Sequence, residues 1–127
     1  MSATKPFDPA RIYVQLLDDG RAVPIEVGPT FWQTTVNDHV EGRMAFAFHF
    51  DRDSGTWEKH PEGEEFVYLL SGAIDFVLER PGGDEVVSLR AGSAYLVPRN
   101  VWHRQIVRAP GDVLFVTAGK GTQHRPV

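Results

Sequence analysis

Residues 57–72 read Trp57-Glu58-Lys59-His60-Pro61-Glu62-Gly63-Glu64-Glu65-Phe66-Val67-Tyr68-Leu69-Leu70-Ser71-Gly72. The stretch holds two short extended runs joined by a turn. Residues 56–60 read as one strand, on which Glu58 and His60 share a face while Trp57 and Lys59 take the other. Gly63 permits a reversal, and Glu65 opens the next run, 65–70, which can pair back on the first. A helix over Glu62–Leu70, acidic in front and apolar behind, is the rival reading. It is too short, is bracketed by Gly63 and Gly72, and contains the strand-favouring Phe66-Val67-Tyr68. The hairpin reading wins, and it can bring an imidazole and a carboxylate within reach of one ion.

The same texture continues on both sides. Twelve Gly and nine Pro leave few stretches long enough for an ordinary helix. Runs rich in Val, Ile, Phe, Tyr and Trp read as strands near 11–17, 22–27, 31–36, 43–50, 56–60, 65–70, 73–79, 84–90, 94–97, 102–108 and 112–117. Asp18-Asp19-Gly20, Ser71-Gly72, Pro81-Gly82-Gly83 and Pro110-Gly111 supply tight turns between them. Many short strands at this spacing predict an all-β sandwich or closed antiparallel barrel. The chain reads as one domain over 1–127, with loosely held ends at 1–8 and about 119–127.

Composition narrows the function classes. At 127 residues, 42% hydrophobic and 24% charged, the chain has the make-up of an ordinary globular domain. A net charge of −4 argues against a nucleic-acid binder, which would carry a basic field. No apolar run approaches the roughly 18 residues of a membrane span, and the start lacks the apolar stretch of a secretory signal. Cysteine is absent, which excludes disulfides and thiolate chemistry and fits the cytoplasm. Strong metal ligands can therefore come only from His, Asp and Glu side chains.

A second segment, Gly92 to His103, contributes another imidazole. Pro98-Arg99-Asn100 reads as a turn there, and Asn100 can take the left-handed conformation that Gly often supplies. Strand parity places His103, Gln105 and Val107 on one face and Trp102, Arg104 and Arg108 on the other. Here the sequence resembles the cupin family. His60, a four-residue gap, Glu65, a six-residue gap and Gly72 match the later part of its first motif, and Gly92, Pro98 and His103 match its second with the right gaps. The resemblance covers about 50–118 and implies a cupin-type barrel, or jelly roll, with these residues turned inward on a metal. It places one divalent ion on His60, Glu65 and His103. Three positions depart from the pattern: Glu58 stands for the first motif's His, Asn100 for a Gly and Val107 for the final Asn.

Glu58 changes the ligand set. Two histidines with one carboxylate form the arrangement associated with non-haem iron(II). If Glu58 also binds, two carboxylates neutralise a divalent ion and favour iron or manganese, with zinc or nickel as alternatives. Without a metal, two carboxylates in one cavity would leave at least one protonated, as a general acid/base pair. A salt bridge from Glu58 to an arginine is the third option.

Other residues carry blander readings. Glu62 and Glu64 read as a solvated turn, His49 as a packed or outer-surface residue, His39 as a turn residue and His124 as part of the tail. Phe46, Phe48, Tyr68, Phe76, Tyr95 and Phe115 read as core, some of them lining the cavity. Gln105, Tyr68 and Phe76 are the expected substrate contacts, and Glu58 the expected catalytic group. Arg90, Arg99 and Arg104 read as solvated. Outward-facing Trp57 and Trp102, with the habit of the family, predict a homodimer.

The expected function is a metal-dependent, oxygenase-like enzyme acting on a small organic molecule, with isomerase or lyase chemistry next. A non-catalytic binding or sensing module and a metal-free acid/base enzyme are the competing readings.

Overall fold

The computed structural model of the chain describes residues 5–29, 31 and 41–127. Among them run eleven strands: β1 (Ile12–Leu16), β2 (Ala22–Glu26), β3 (Arg43–Phe50), β4 (Thr56–Lys59), β5 (Glu65–Leu69), β6 (Ala73–Leu78), β7 (Glu85–Arg90), β8 (Ala94–Val97), β9 (His103–Ala109), β10 (Gly111–Thr117) and β11 (Gln123–Pro126). Residues 57–72 form two strands rather than a helix, but not the expected hairpin: β4 pairs with β11 and β9, whereas β5 pairs with β10 and β8, so the chain crosses between two ladders at the Gly63 turn. The strand expected at 31–36 and the turn around His39 lie, apart from Phe31, outside the described residues.

The strands divide into two antiparallel sheets, β2-β1-β3-β10-β5-β8 and β11-β4-β9-β6-β7. The sheets face each other as the expected jelly roll, the sandwich form of the two architectures that the strand spacing allows, with the ladders not closed into one. Period-two alternation decides which side chains meet between them. In β5, Glu65, Val67 and Leu69 are buried while Phe66 and Tyr68 are only partly so. In β6, Ile74, Phe76 and Leu78 lie opposite Val107, Gln105 and His103 of β9. Val67, Leu69, Ile74, Phe76, Leu78, Val97 and Val113 are the largest fully buried side chains.

The turns are tied at positions where sequence matters. Gly72 has φ +82°, and a Cβ there would come within 2.6 Å of the carbonyl oxygens of Ala109 and Pro110. A side chain would push the β5–β6 turn off the β9–β10 turn. Asn100 has φ 59°, the left-handed conformation expected of it, and its N–H donates to the His60 carbonyl at 2.9 Å. That bond clips the turn before β9 onto the end of β4.

The tail departs from expectation. Instead of a loose end, Gln123–Pro126 form β11, in register with β4 (His124 opposite Glu58, Arg125 opposite Trp57). Arg125 lies over both indoles, 5.1 Å from the Trp57 ring and 4.6 Å from the Trp102 ring. It also pairs with Glu79. Lys59 covers Trp102 as well, and Arg104 covers Trp57. Both rings are thus half-buried within the chain. Among the described residues no helix is long and apolar enough to cross a membrane.

Candidate metal centre

Three strands, β4, β5 and β9, bring the four expected residues together. His103 begins β9 and Glu58 lies directly opposite it on β4, so both point between the sheets. His60 follows the end of β4, and Glu65 opens β5 from the other sheet. His60, Glu65 and His103 are 3%, 5% and 2% exposed. The His60 Nε2 lies 3.3 Å from Glu65 Oε2 and 3.4 Å from Glu58 Oε1, and His103 Nε2 lies 3.6 Å from Glu65 Oε1. One ligand atom each from Glu58, His60 and His103 falls within 4.8 Å of the others.

The surroundings aim these atoms. His103 Nδ1 lies 3.0 Å from the Val101 carbonyl. A carbonyl only accepts, so Nδ1 carries a proton and the neutral ring leaves the Nε2 lone pair facing the site. His60 Nδ1 meets the Thr122 hydroxyl at 2.9 Å, which turns its Nε2 inward too. That Nε2 is fully buried and has no hydrogen-bond partner. The Glu65 and Glu58 carboxylates lie 3.3 and 3.4 Å from it, as ion-pair neighbours. Thr117 donates its hydroxyl to Glu65 Oε2 and fixes the carboxylate plane.

Charge follows from this packing. Burial alone would raise the Glu65 pKa, but the imidazoles of His103 and His60 outweigh it and bring it down to about 2. Burial alone would lower that of His103, yet the Glu65 carboxylate, the Val101 carbonyl and Glu58 together hold it above its ordinary value. Glu65 is held ionised by imidazoles, and the Glu58 side chain is 39% exposed. No arginine pairs with Glu58 among the described ion pairs; its neighbours are His60 and His124.

A buried, unsatisfied imidazole nitrogen, a second one with its proton on the far side, and two carboxylates form a donor set that fits a divalent cation. A polar atom left this way in a dry site is costly unless something binds it. Thr122 should then matter although it touches no ion. Thr122→Val is expected to weaken metal affinity about tenfold, read by competition with a chromophoric chelator, with little change in metal-free melting.

A cavity of about 620 Å³ adjoins the centre, lined by Glu58, His60 and Glu65. Gln105 lines it as expected. Phe76 does not: it is wholly buried, with its ring 6.3 Å from that of His103, and it supports the imidazole from behind. Tyr68 sits on the face of β5 opposite Glu65 and lines no cavity described here. Phe48, read as core, is 47% exposed and stands on the cavity wall. His49 is at the outer surface, paired with Asp112. Arg99 pairs with Glu64 in solvent.

Thr117, Thr122 and His124 escape the sequence reading, Thr117 as an inward residue of β10 that donates to Glu65. Thr122 and His124 both line the cavity, and His124 Nε2 lies 3.8 Å from Glu58 Oε1. The available signal is modest. Alternation places Thr122, His124 and Pro126 on one side, but nothing apolar marks the segment as a strand.

Comparisons with known proteins agree with this architecture. Protein SchB of Streptomyces halstedii is 43% identical over 54 residues, covering 42% of this chain and 35% of that protein. The chain thus spans about a third of that curated relative's length. A cupin-2 domain containing protein of Shewanella frigidimarina superposes with a TM-score of 0.51 at 15% identity, covering 58% of this chain and 68% of that one. Hydroquinone 1,2-dioxygenase of a Sphingomonas species gives 0.50 at 20% identity, over 59% of this chain and 58% of that one. Oxalate decarboxylase of Bacillus subtilis gives 0.55 at 16% identity, over 67% of this chain and 24% of that one. At these identities the structures speak for the fold alone. The cupin domain family itself matches residues 47–119, more than half of the sequence and the whole of the centre except Thr122 and His124, and on that match the chain belongs to the cupin family.

Proposed function

We propose that this cupin domain binds one divalent metal ion through His60, Glu65 and His103, with Glu58 as a further carboxylate ligand, and acts as a metal-dependent enzyme on a small organic molecule in the adjoining cavity. The observation that carries the reading is the buried, unpartnered His60 Nε2 facing two carboxylates and a second imidazole. Iron or manganese suits the mixed nitrogen and oxygen donors best, with zinc or nickel as alternatives. Oxygenase chemistry is the first choice of reaction, and isomerisation or lyase chemistry the second. Relatives of the same fold include a dioxygenase and a decarboxylase, which supports the range without selecting within it.

When bound, the ion supplies Lewis acidity and a docking point for an oxygen-bearing ligand. The protein's own groups do the rest. Thr117, Thr122 and the Val101 carbonyl hold the ligands in place, so little reorganisation is needed during reaction. The apolar wall limits water. Where Glu58, half-exposed between His60 and His124, does not itself bind the ion, it is the group able to take a proton from a substrate hydroxyl.

Elemental analysis after supplying iron, manganese and zinc tests the metal, and oxygen uptake with catechols, diketones and thiols tests the reaction. Loading below about 0.1 ion per chain would reject the reading. Cytoplasmic residence and a homodimer belong to the same proposal, and sedimentation equilibrium showing only monomer would remove the dimer.

Acidity provides a further prediction. Metal binding needs the bare Nε2 of His103, and in the metal-free protein that ring keeps its proton above its ordinary pKa. Affinity should therefore rise with pH, by up to about tenfold per unit, until that raised pKa is passed. The sign for stability is opposite in the metal-free protein. The contribution of protonated His103 is full below the unfolded value of 6.5 and is lost as pH rises through the folded one. The melting shift produced by zinc should thus be wider at pH 8 than at pH 6, as differential scanning fluorimetry would show. Glu65, with a pKa of about 2, stays ionised across this window and contributes no slope.

A further inference from the structure

We propose that the cavity beside the metal centre selects a neutral, planar aromatic molecule carrying a hydroxyl or enol oxygen, in preference to a small carboxylate. This rests on the reading of the centre as a metal-dependent small-molecule site and adds the class of its substrate.

The shape comes from the aromatic wall. Phe46 and Phe48 project from the same face of β3, and Phe115 of β10 lies in register with Phe46, the two rings 5.4 Å apart. Phe46 and Phe115 are 9% and 6% exposed, but Phe48 is 47% exposed. A half-exposed phenyl ring, continuous with two buried ones, offers a flat surface on which a ligand ring can stack, burying apolar area on both. The opposite wall, from the other sheet, presents Glu58, Gln105 and His124. The ligand is thereby held with one face on phenyl groups and one edge toward hydrogen-bonding groups and the centre.

The charge comes from what the wall contains. No Lys or Arg is among the described residues lining this cavity, and residues 1–4, 30 and 32–40 include neither. Its acidic groups are Glu58 and Glu65, whose two carboxylates balance a divalent ion. A carboxylate or dicarboxylate ligand would therefore be desolvated with no guanidinium or ammonium to pair it and no surplus positive charge to attract it. A smaller cavity of about 270 Å³, which shares Phe48, Ser54, Glu58 and Gln105 with this one, does include Arg52 and Arg104. Arg104, however, lies over the Trp57 ring at 5.2 Å, on the face of β9 away from His103, and Arg52 pairs with Asp51 in solvent. Neither supplies the missing cation. A neutral arene with a single oxygen has no such penalty.

The test is calorimetric titration of the full chain, with zinc bound and without, against 1-naphthol, its saturated counterpart decahydro-1-naphthol, and oxalate. With zinc, 1-naphthol should bind at least about tenfold tighter than either of the others. Phe48→Ala, at an exposed position that the fold does not depend on, should weaken 1-naphthol about five- to tenfold while leaving zinc affinity unchanged. Oxalate binding as tightly as 1-naphthol, or a Phe48→Ala protein that binds 1-naphthol normally, would overturn the proposal. Zinc uptake is read in a separate titration. Zinc bound without any preference for 1-naphthol sinks only the substrate class, whereas a Phe48-dependent preference without zinc uptake keeps that class and sinks the metal reading.

Discussion

His103→Ala is expected to leave a folded protein that retains less than about 0.1 metal ion per chain after supplying iron, manganese or zinc. His103 sits at the start of β9, opposite Glu58 on one neighbour and Leu78 on the other. It is 2% exposed and is aimed by the Val101 carbonyl. Its removal takes away one of the two imidazole donors of the candidate centre. Glu58→Gln should weaken binding by much less. Glu58 is 39% exposed, and an amide oxygen can still face the ion, so the loss is mainly one negative charge. Elemental analysis of both variants, with circular dichroism to check folding, gives the ranking. The reverse order would mean that Glu58, not His103, anchors the ion.

Phe76→Ala is expected to cost about 3–5 kcal/mol of stability, the range for emptying a phenyl site in a packed core. From the sequence Phe76 reads as a substrate contact; a residue in that role could be truncated with loss of ligand affinity and little loss of fold. The structure places it with no exposure, between Ile74 and Leu78 on the inner face of β6 and near the Tyr95 and His103 rings. Denaturant unfolding of the metal-free protein measures the effect directly. A change below about 1 kcal/mol would mean that the site relaxes or was never tightly packed. Tyr68→Ala, on the outer face of β5, should leave ligand binding in the cavity unaltered.

The contrast between these two residues shows where sequence reading succeeds. Spacing points to the candidate centre because His60, Glu65, Gly72, Gly92, Pro98 and His103 are each held by local geometry: a strand end, a strand start, a left-handed turn. Parity then carries Gln105 onto the cavity side with His103. The same rule, applied from Glu65, would have sent Val67 and Leu69 inward and Tyr68 outward, so that signal was available. Phe76 is a different matter. An inward side chain may line a cavity or fill the core, and only the depth of the opposing sheet decides which.

The C-terminal segment was not legible, for a physical reason. Its residues have no apolar alternation, because β11 is an edge strand held by its one neighbour β4 and by Arg125 against Trp57, Trp102 and Glu79. These contacts are 23 to 70 positions distant in the chain, and propensity carries no trace of them. Phe48 was misread for the complementary reason: hydrophobicity reports what a side chain prefers, not whether the wall opposite it has been built.

The edge position of β11 gives the molecule a weak clasp next to a demanding one. The two-sheet core owes little to residues 122–126, yet the orientation of the His60 ring depends on the hydroxyl at 122. A carboxypeptidase that trims past this point would therefore yield protein that still melts cooperatively but leaks its ion. Preparations with ragged ends would show fractional loading, and the shortfall in stoichiometry would count the trimmed molecules.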